Sequence, residues 1–342
     1  MDIEIIKVDL PLKSPFAISG GSAEIKTNFL VVMDGRYCGE AAGSVAYGPS
    51  EDEIATALAT GVELLQQIPH LRIGTLSEIS SFPIDATARA ALTGMVHNFL
   101  SGEAKKHPWE LLSLDAPAKL HTSLTVAIDK PSQMVEKIKG TNRALIKIKL
   151  GGEDDSTVIA ALGDISGKTF RVDANGAWSC EQAEEMIHLL AQKGVRMIEQ
   201  PTTEEFVPEW PRLKGRHKDV ELIIDEGLNE YEDLARCEEF VDGVNIKMEK
   251  CGGILEGIRI AKRAHDIRRK VLLGCMVTSS VGIAPSTYMS SLADYWDLDG
   301  PLLLQEDIAT GLDYDNELIR VDRDMIGGPE LKREVVEKYI RN

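Results

Sequence analysis

Over the first 44 residues apolar and polar positions alternate in short runs. Ile-Glu-Ile-Ile-Lys-Val lies near the start, then Phe-Leu-Val-Val-Met, a turn at Asp34-Gly35, and Cys-Gly-Glu-Ala-Ala. Successive side chains of a strand point to opposite faces, so these runs predict an antiparallel meander with one buried face. Ser50-Glu-Asp-Glu53 has the form of a capping box and opens a helix to about Gln67. Asp85 to Leu100 is a second, alanine-rich stretch with apolar residues at helical spacing. Residues 1–115 therefore read as a small α+β domain.

Beyond it the period switches repeatedly between two and 3.6. Candidate strands are Leu124–Ile128, Leu145–Lys149, Phe170–Asp173, Met197–Glu199, Leu222–Asp225, Val244–Lys247, Val271–Cys275 and Tyr295–Asp297. Helical segments such as Glu181–Gln192, Tyr231–Phe240 and Leu255–Ile267 lie between them. Eight strand and helix alternations with short connections predict an α/β fold, a (β/α)8-type barrel over residues 116–312, in preference to an open doubly wound sheet. The eighth unit lacks a well-marked helix and the Met197 run is unusually short. After Gly311 the chain alternates again in Leu-Ile-Arg-Val and ends in a charged helix. Residues 313–342 are expected to pack back on the N-terminal capping domain and complete it.

The charged residues closing these strands are regularly placed. Asp173, Glu199 and Asp225 are 26 residues apart, with Lys149 before them and Lys247 after. In such a barrel the C-terminal strand ends form the mouth, so all five groups are placed there. Three converging carboxylates repel unless a divalent cation with oxygen ligands holds them, and three monodentate carboxylates leave open positions on an octahedral Mg²⁺. Such a metal acts as a Lewis acid on a substrate carboxylate or carbonyl. Lysines on the second and sixth strands lie across the ring from each other and address opposite faces of one substrate carbon. Lys149, nearer the mouth, is the expected base, and Lys247 the partner that returns a proton. Alternation sends Lys147 inward as well, to support Lys149 or to meet a substrate carboxylate. Strand-end salt bridges are the structural alternative; five such residues in the order Lys, Asp, Glu, Asp, Lys favour a site.

Composition removes several classes. A net charge of −17 and no basic stripe argue against nucleic acid. No apolar run approaches membrane-spanning length, and the charged first residues lack the apolar core of a signal peptide, so a cytoplasmic location and no membrane partner are expected. Five widely spaced cysteines point to neither a disulfide framework nor a zinc site. A small-molecule substrate is the expected partner, and a homo-oligomer is left open.

With these residues in view, the chain resembles the enolase superfamily, muconate-lactonising subgroup, over nearly its whole length. Lys147-Ile-Lys149 is similar to that subgroup's Lys-x-Lys motif, Asp173-Ala-Asn175 to its metal Asp and neighbouring Asn, Glu199-Gln-Pro201 to the second ligand, and Asp225-Glu226 to the third. Lys247 in Asn-Ile-Lys-Met-Glu-Lys-Cys-Gly-Gly matches the second acid/base lysine. Proton abstraction by a lysine with Mg²⁺ and an ene-diolate is a known property of that superfamily, so the resemblance supplies the mechanism. Asp297-Leu-Asp299 resembles the Asp-x-Asp motif with which dipeptide epimerases bind the substrate α-ammonium. The implied reaction is 1,1-proton transfer at the α-carbon of the C-terminal residue of a dipeptide. Thr125, Cys275 and Met276 are the further expected substrate contacts, and Asn175 supports the first metal ligand.

Epimerases of alanyl-glutamate carry an arginine in the first capping loop. Here the loop reads Ser14-Pro-Phe-Ala-Ile-Ser-Gly-Gly-Ser-Ala-Glu-Ile-Lys26, without one. Gly20-Gly21 reads equally as a flexible lid or a tight turn. Lys26 reads as a solvated residue ahead of a strand, with substitution for the arginine as the alternative. N-acylamino acid racemase, o-succinylbenzoate synthase and cycloisomerase share the lysines and metal but need no ammonium site. Mandelate-type and amidohydrolase chemistry need histidines, and none of the seven closes a candidate barrel strand. A Schiff-base aldolase barrel is the alternative from another class.

Overall fold

The computed structural model describes residues 1–44 and 48–339. A three-stranded antiparallel sheet opens the chain: β1 (Ile3–Ile18), β2 (Gly21–Met33) and β3 (Tyr37–Ala41). The first two strands extend far beyond the apolar runs that mark them in the sequence, because backbone pairing continues through polar residues to Pro11↔Ile25 and, past an irregularity between Pro11 and Phe16, resumes to Ile18↔Gly21. Gly20-Gly21 belongs to this tight turn, with Gly20 at φ +121°. The hairpin tip docks on the barrel: Ile128 donates to the Ala17 carbonyl at 3.0 Å, and Ser19 Oγ to the Asn175 carbonyl at 3.2 Å. Ile128 is thus outside the first barrel strand, which ends at Val126.

The Ser50 capping box forms, and the helix Glu51–Gln66 buries Ile54, Leu58, Val62 and Leu65. The helix Ala86–Ala104 is buried over much of its surface, between this sheet and the barrel. Its approach to β3 requires a glycine: a Cβ on Gly39 would sit 1.9 Å from the Ala91 carbonyl oxygen. A separate apolar layer joins cap to barrel, with Val8, Leu10, Leu12, Leu30 and Val32 against Val277, Val281 and Leu304.

After β4 (Leu120–His121) come eight parallel strands in chain order: β5 (Leu124–Val126), β6 (Leu145–Lys149), β7 (Thr169–Asp173), β8 (Met197–Glu199), β9 (Glu221–Ile224), β10 (Gly243–Ile246), β11 (Lys270–Leu273) and β12 (Tyr295–Trp296). A parallel bridge, Thr122↔Trp296, links the two ends of the sheet. Met197, Ile223 and Leu272, from three strands, cluster with Tyr295 and fill the interior. Arg171 lies over the Tyr295 ring at 5.3 Å and donates to the Trp296 carbonyl. The barrel floor is therefore solid, and any site stands above it at the strand ends.

The helix of the eighth unit is a single turn, Gly300–Leu303, with Pro301 in its first turn, where proline is tolerated, and it ends where Leu304 takes an extended backbone. The chain then forms β13 (Ala309–Thr310), β14 (Leu312–Asp315), β15 (Leu318–Val321) and β16 (Glu330–Leu331). The β14–β15 hairpin pairs with β4, while Gly327 donates to Ser101 Oγ of the cap at 3.0 Å. Among the described residues no helix is long and apolar enough to cross a membrane.

Candidate active site

Parallel register places the acidic residues side by side. Lys149 pairs with Asp173, and Asp173 with Glu199, on β6, β7 and β8. Asp225, Lys247 and Asp297 each follow the last residue of their strand, and Cys275 and Met276 lie in the turn after β11. All of the charged groups are buried.

Each lysine of this layer lies against at least one carboxylate. Lys149 Nζ lies 2.6 Å from Asp173 Oδ2 and 3.1 Å from Asn175 Oδ1. Lys147 Nζ is a hub, 2.7 Å from Asp297, 2.8 Å from Glu199 and 3.0 Å from Asp173. On the far side Lys247 Nζ is 2.7 Å from Asp225 Oδ2. Lys147 therefore meets carboxylates of the protein, including Asp297. Asp297 also accepts from Ser123 Oγ at 2.5 Å, and Asp299 from the Thr125 backbone N–H at 2.6 Å.

The electrostatics are uneven. Burial opposes ionisation of Asp173 and Asp225, yet Lys147 and Lys149 beside the first, and Lys247 and Lys250 beside the second, hold both well below the usual carboxylate range. Glu199 is pushed up to about 8 by burial and by the neighbouring Asp173. Asp299 is pushed up to about 6 by burial and Asp297. Burial alone would lower Lys147, but its three acidic neighbours raise it. The layer thus holds more negative charge than its lysines neutralise at Glu199.

Among the described residues no three His, Cys, Asp or Glu side chains are drawn together as a ready cation cage. The three strand-end carboxylates are turned toward lysines. Their chemistry nevertheless fits a hard divalent cation: oxygen donors on adjacent strands, buried, with one proton affinity raised by burial and by the neighbouring acids.

One cavity collects the substrate-side residues. Thr125, Lys147, Lys149, Asn175, Lys247, Cys275, Met276, Asp297 and Asp299 line it from the barrel, and Phe16, Ile18, Lys26, Gly43 and Ser44 from the cap. The strand-end carboxylates Asp173, Glu199 and Asp225 lie beneath these lysines and do not line the cavity.

Three residues were not singled out in the sequence. Asn245, inward on β10, donates to Glu199 Oε1 at 2.9 Å. Its signal was the alternation that also points Lys247 inward, two residues on. Lys250 lies 2.6 Å from Asp225 Oδ1, brought back by the turn of helix Met248–Cys251, which spacing from Lys247 could have indicated. Gln200 Oε1 accepts from the backbone N–H of Asp225 and Glu226, a contact with no local signal.

A barrel with strand-end carboxylates between two lysines, under an α+β cap, defines the class. Residues 133–322 match the family described as enolase C-terminal domain-like, and the chain belongs to the enolase superfamily. Within it the chain resembles dipeptide epimerases in particular. It is 30% identical to the L-Ala-D/L-amino acid epimerase of Maribacter sp. over 321 residues, 91% of this chain and 94% of that one. It is 32% identical to the hydrophobic dipeptide epimerase of Roseobacter litoralis over 334 residues, 92% and 95% of the two chains. The structure of substrate-liganded L-Ala-D/L-Glu epimerase from Bacillus subtilis shares the fold, with a TM-score of 0.87 at 22% identity over 96% of this chain and 98% of the other.

Proposed function

We propose that the protein is an isomerase, a Mg²⁺-dependent dipeptide epimerase that inverts the α-carbon of the C-terminal residue. The observation that carries the reading is the placement of Lys149 and Lys247 on opposite sides of one carboxylate layer, the first at Asp173 and the second at Asp225, in one cavity with Asp297 and Asp299. Lys149 takes the α-proton from one face, and the Lys247 ammonium delivers a proton to the other. The roles reverse for the opposite epimer. Asp173, Glu199 and Asp225 would hold the metal, exchanging lysine contacts for it. Bound Mg²⁺ supplies a Lewis acid that stabilises negative charge on the substrate carboxylate. Lys147 keeps the acidic layer neutral enough to stay folded, and Asn175 orients Asp173 and Lys149. Asp297 and Asp299 receive the substrate α-ammonium, with Thr125, Cys275 and Met276 closing around it. The same reading takes the enzyme to be cytoplasmic.

The test is a mass-spectrometric screen of L,L-dipeptides in D₂O with Mg²⁺. Incorporation of one deuteron with appearance of the L,D product is expected. Exchange of N-acylamino acids in place of dipeptides would make it a racemase of the same superfamily. Borohydride trapping of a carbonyl substrate, with activity insensitive to chelator, would support an aldolase instead.

A further inference from the structure

Arg171 points into the barrel one layer below Asp173, in register with Lys147 on the neighbouring strand. It does not line the cavity. Two cations side by side in an interior are unfavourable unless each has its own acceptor. Lys147 takes three carboxylates, whereas Arg171 makes no ion pair among the described residues. Its acceptor is a backbone group: Nη1 donates to the Trp296 carbonyl at 2.8 Å, and the guanidinium is kept in place over the Tyr295 ring. That carbonyl belongs to the peptide unit that leads into Asp297, whose N–H donates to the Leu273 carbonyl at 2.8 Å. β12 is only two residues long, and its other flank carries a single bridge, to Thr122. So short a strand fixes its last peptide weakly, and a guanidinium from the third barrel strand adds a charge-assisted bond to it. Two cations thus converge on one residue, Lys147 on the Asp297 side chain at 2.7 Å and Arg171 on the peptide before it. Burial lowers the proton affinity of Arg171, and Asp297 is the acid that opposes this most.

We propose that Arg171 is a positioning residue: from inside the barrel it fixes the Trp296–Asp297 peptide and so sets the Asp297 carboxylate where the substrate α-ammonium binds. A charge-assisted hydrogen bond weakens steeply with distance and angle, so a small shift of this carboxylate loosens the ammonium. Lys149 and Lys247 stand on other strands and keep their places. Arginine suits the task because it stays charged when buried, and its planar head can stack on an aromatic face while donating from its edge. This inference rests on the epimerase reading and adds a residue beneath its ammonium site.

The experiment uses the Mg²⁺-loaded full chain and whichever of L-Ala-L-Glu and L-Ala-L-Leu the native protein epimerises faster, with the N-propionyl analogue of that dipeptide, which lacks only the ammonium. Dipeptide KM and kcat for α-proton exchange in D₂O, and the inhibition constant of the analogue, are measured for the native protein, Arg171→Met, Arg171→Lys, Asp297→Asn and the double variant with Arg171→Met and Asp297→Asn. Arg171→Met should raise the dipeptide KM about 10-fold, the size of one charge-assisted hydrogen bond, with kcat little changed. The inhibition constant of the analogue should not move, and Arg171→Lys should raise the dipeptide KM by less. In the Asp297→Asn background Arg171→Met should add almost nothing, because both changes remove the same contact. An equal effect on dipeptide and analogue, a fall in kcat alone, or additive effects in the double variant overturn the inference alone. If Arg171→Met does not fold, Arg171→Lys decides, and an unchanged dipeptide KM there overturns the inference. A native protein that exchanges the N-propionyl compound in preference to the dipeptide, or exchanges neither, overturns the epimerase reading and this inference with it.

Discussion

The Lys147 ammonium stands 2.7 Å from the Asp297 carboxylate, joining the second barrel strand to the residue that closes the eighth. The same nitrogen contacts Glu199 and Asp173, so one buried cation neutralises parts of three buried acids. Removing one partner from such a group leaves charge buried without compensation.

Replacing Lys147 with Met should therefore cost about 3–5 kcal/mol of stability without metal, the usual penalty for breaking a buried ion pair. Mg²⁺ should restore more stability to the variant than it adds to the native protein. Urea unfolding with and without Mg²⁺ checks both; equal Mg²⁺ effects would show that the carboxylates do not share the cation.

Lys149→Ala and Lys247→Ala should each lower epimerisation by about 10²- to 10⁴-fold, the range of general acid–base catalysis. Each should retain solvent exchange for the epimer whose α-proton faces the remaining lysine. Proton NMR of both epimers in D₂O distinguishes this from simple loss of binding. Normal epimerisation by both single variants would refute the two-base mechanism.

Gly274→Ala tests the support of Glu199. A Cβ there would lie 2.3 Å from Asn245 Oδ1, so Asn245 must move away from Glu199. Overpacking of this kind costs about 1–3 kcal/mol. Mg²⁺ affinity, read by thermal shift, should weaken in both Gly274→Ala and Asn245→Ala, the second without the steric clash.

Glu249 is buried between cap and barrel, and burial pushes its carboxyl up to about 7. A raised carboxyl favours the folded state below its ordinary value of 4.5, and that advantage is lost as pH rises through about 7. Glu249→Gln should thus gain stability relative to the native protein between pH 5 and pH 8, by up to about 3 kcal/mol. Denaturant midpoints at the two pH values measure the change; a pH-independent difference would show that Glu249 titrates normally.

Much of this was legible in the chain because strand periodicity is local. The alternation that marked Leu145–Lys149 and Phe170–Asp173 also told which side chains point inward, and the structure has both strands within one residue of those limits. Lys26 shows the opposite case. Nothing near it in sequence signals burial, since the groups that cover it, Ser44 and the barrel wall around Val277, arrive from elsewhere. The hairpin from Ile3 to Met33 was likewise underestimated, because hydrogen-bonded pairing of polar residues leaves no hydropathy signal.

By itself the sequence determined the barrel order, the cap, and the strand-end residues Lys149, Asp173, Glu199, Asp225 and Lys247, all of which follow from periodicity and strand termini. Only the tertiary structure decided that Lys147 binds Asp297, that Asn245 and Lys250 join the acids, and that Lys26 faces the cavity. Those contacts depend on closing a ring of strands and laying a cap across it. Such long-range geometry is set by the packing of the whole core, and it has no counterpart in the spacing of residues along the chain.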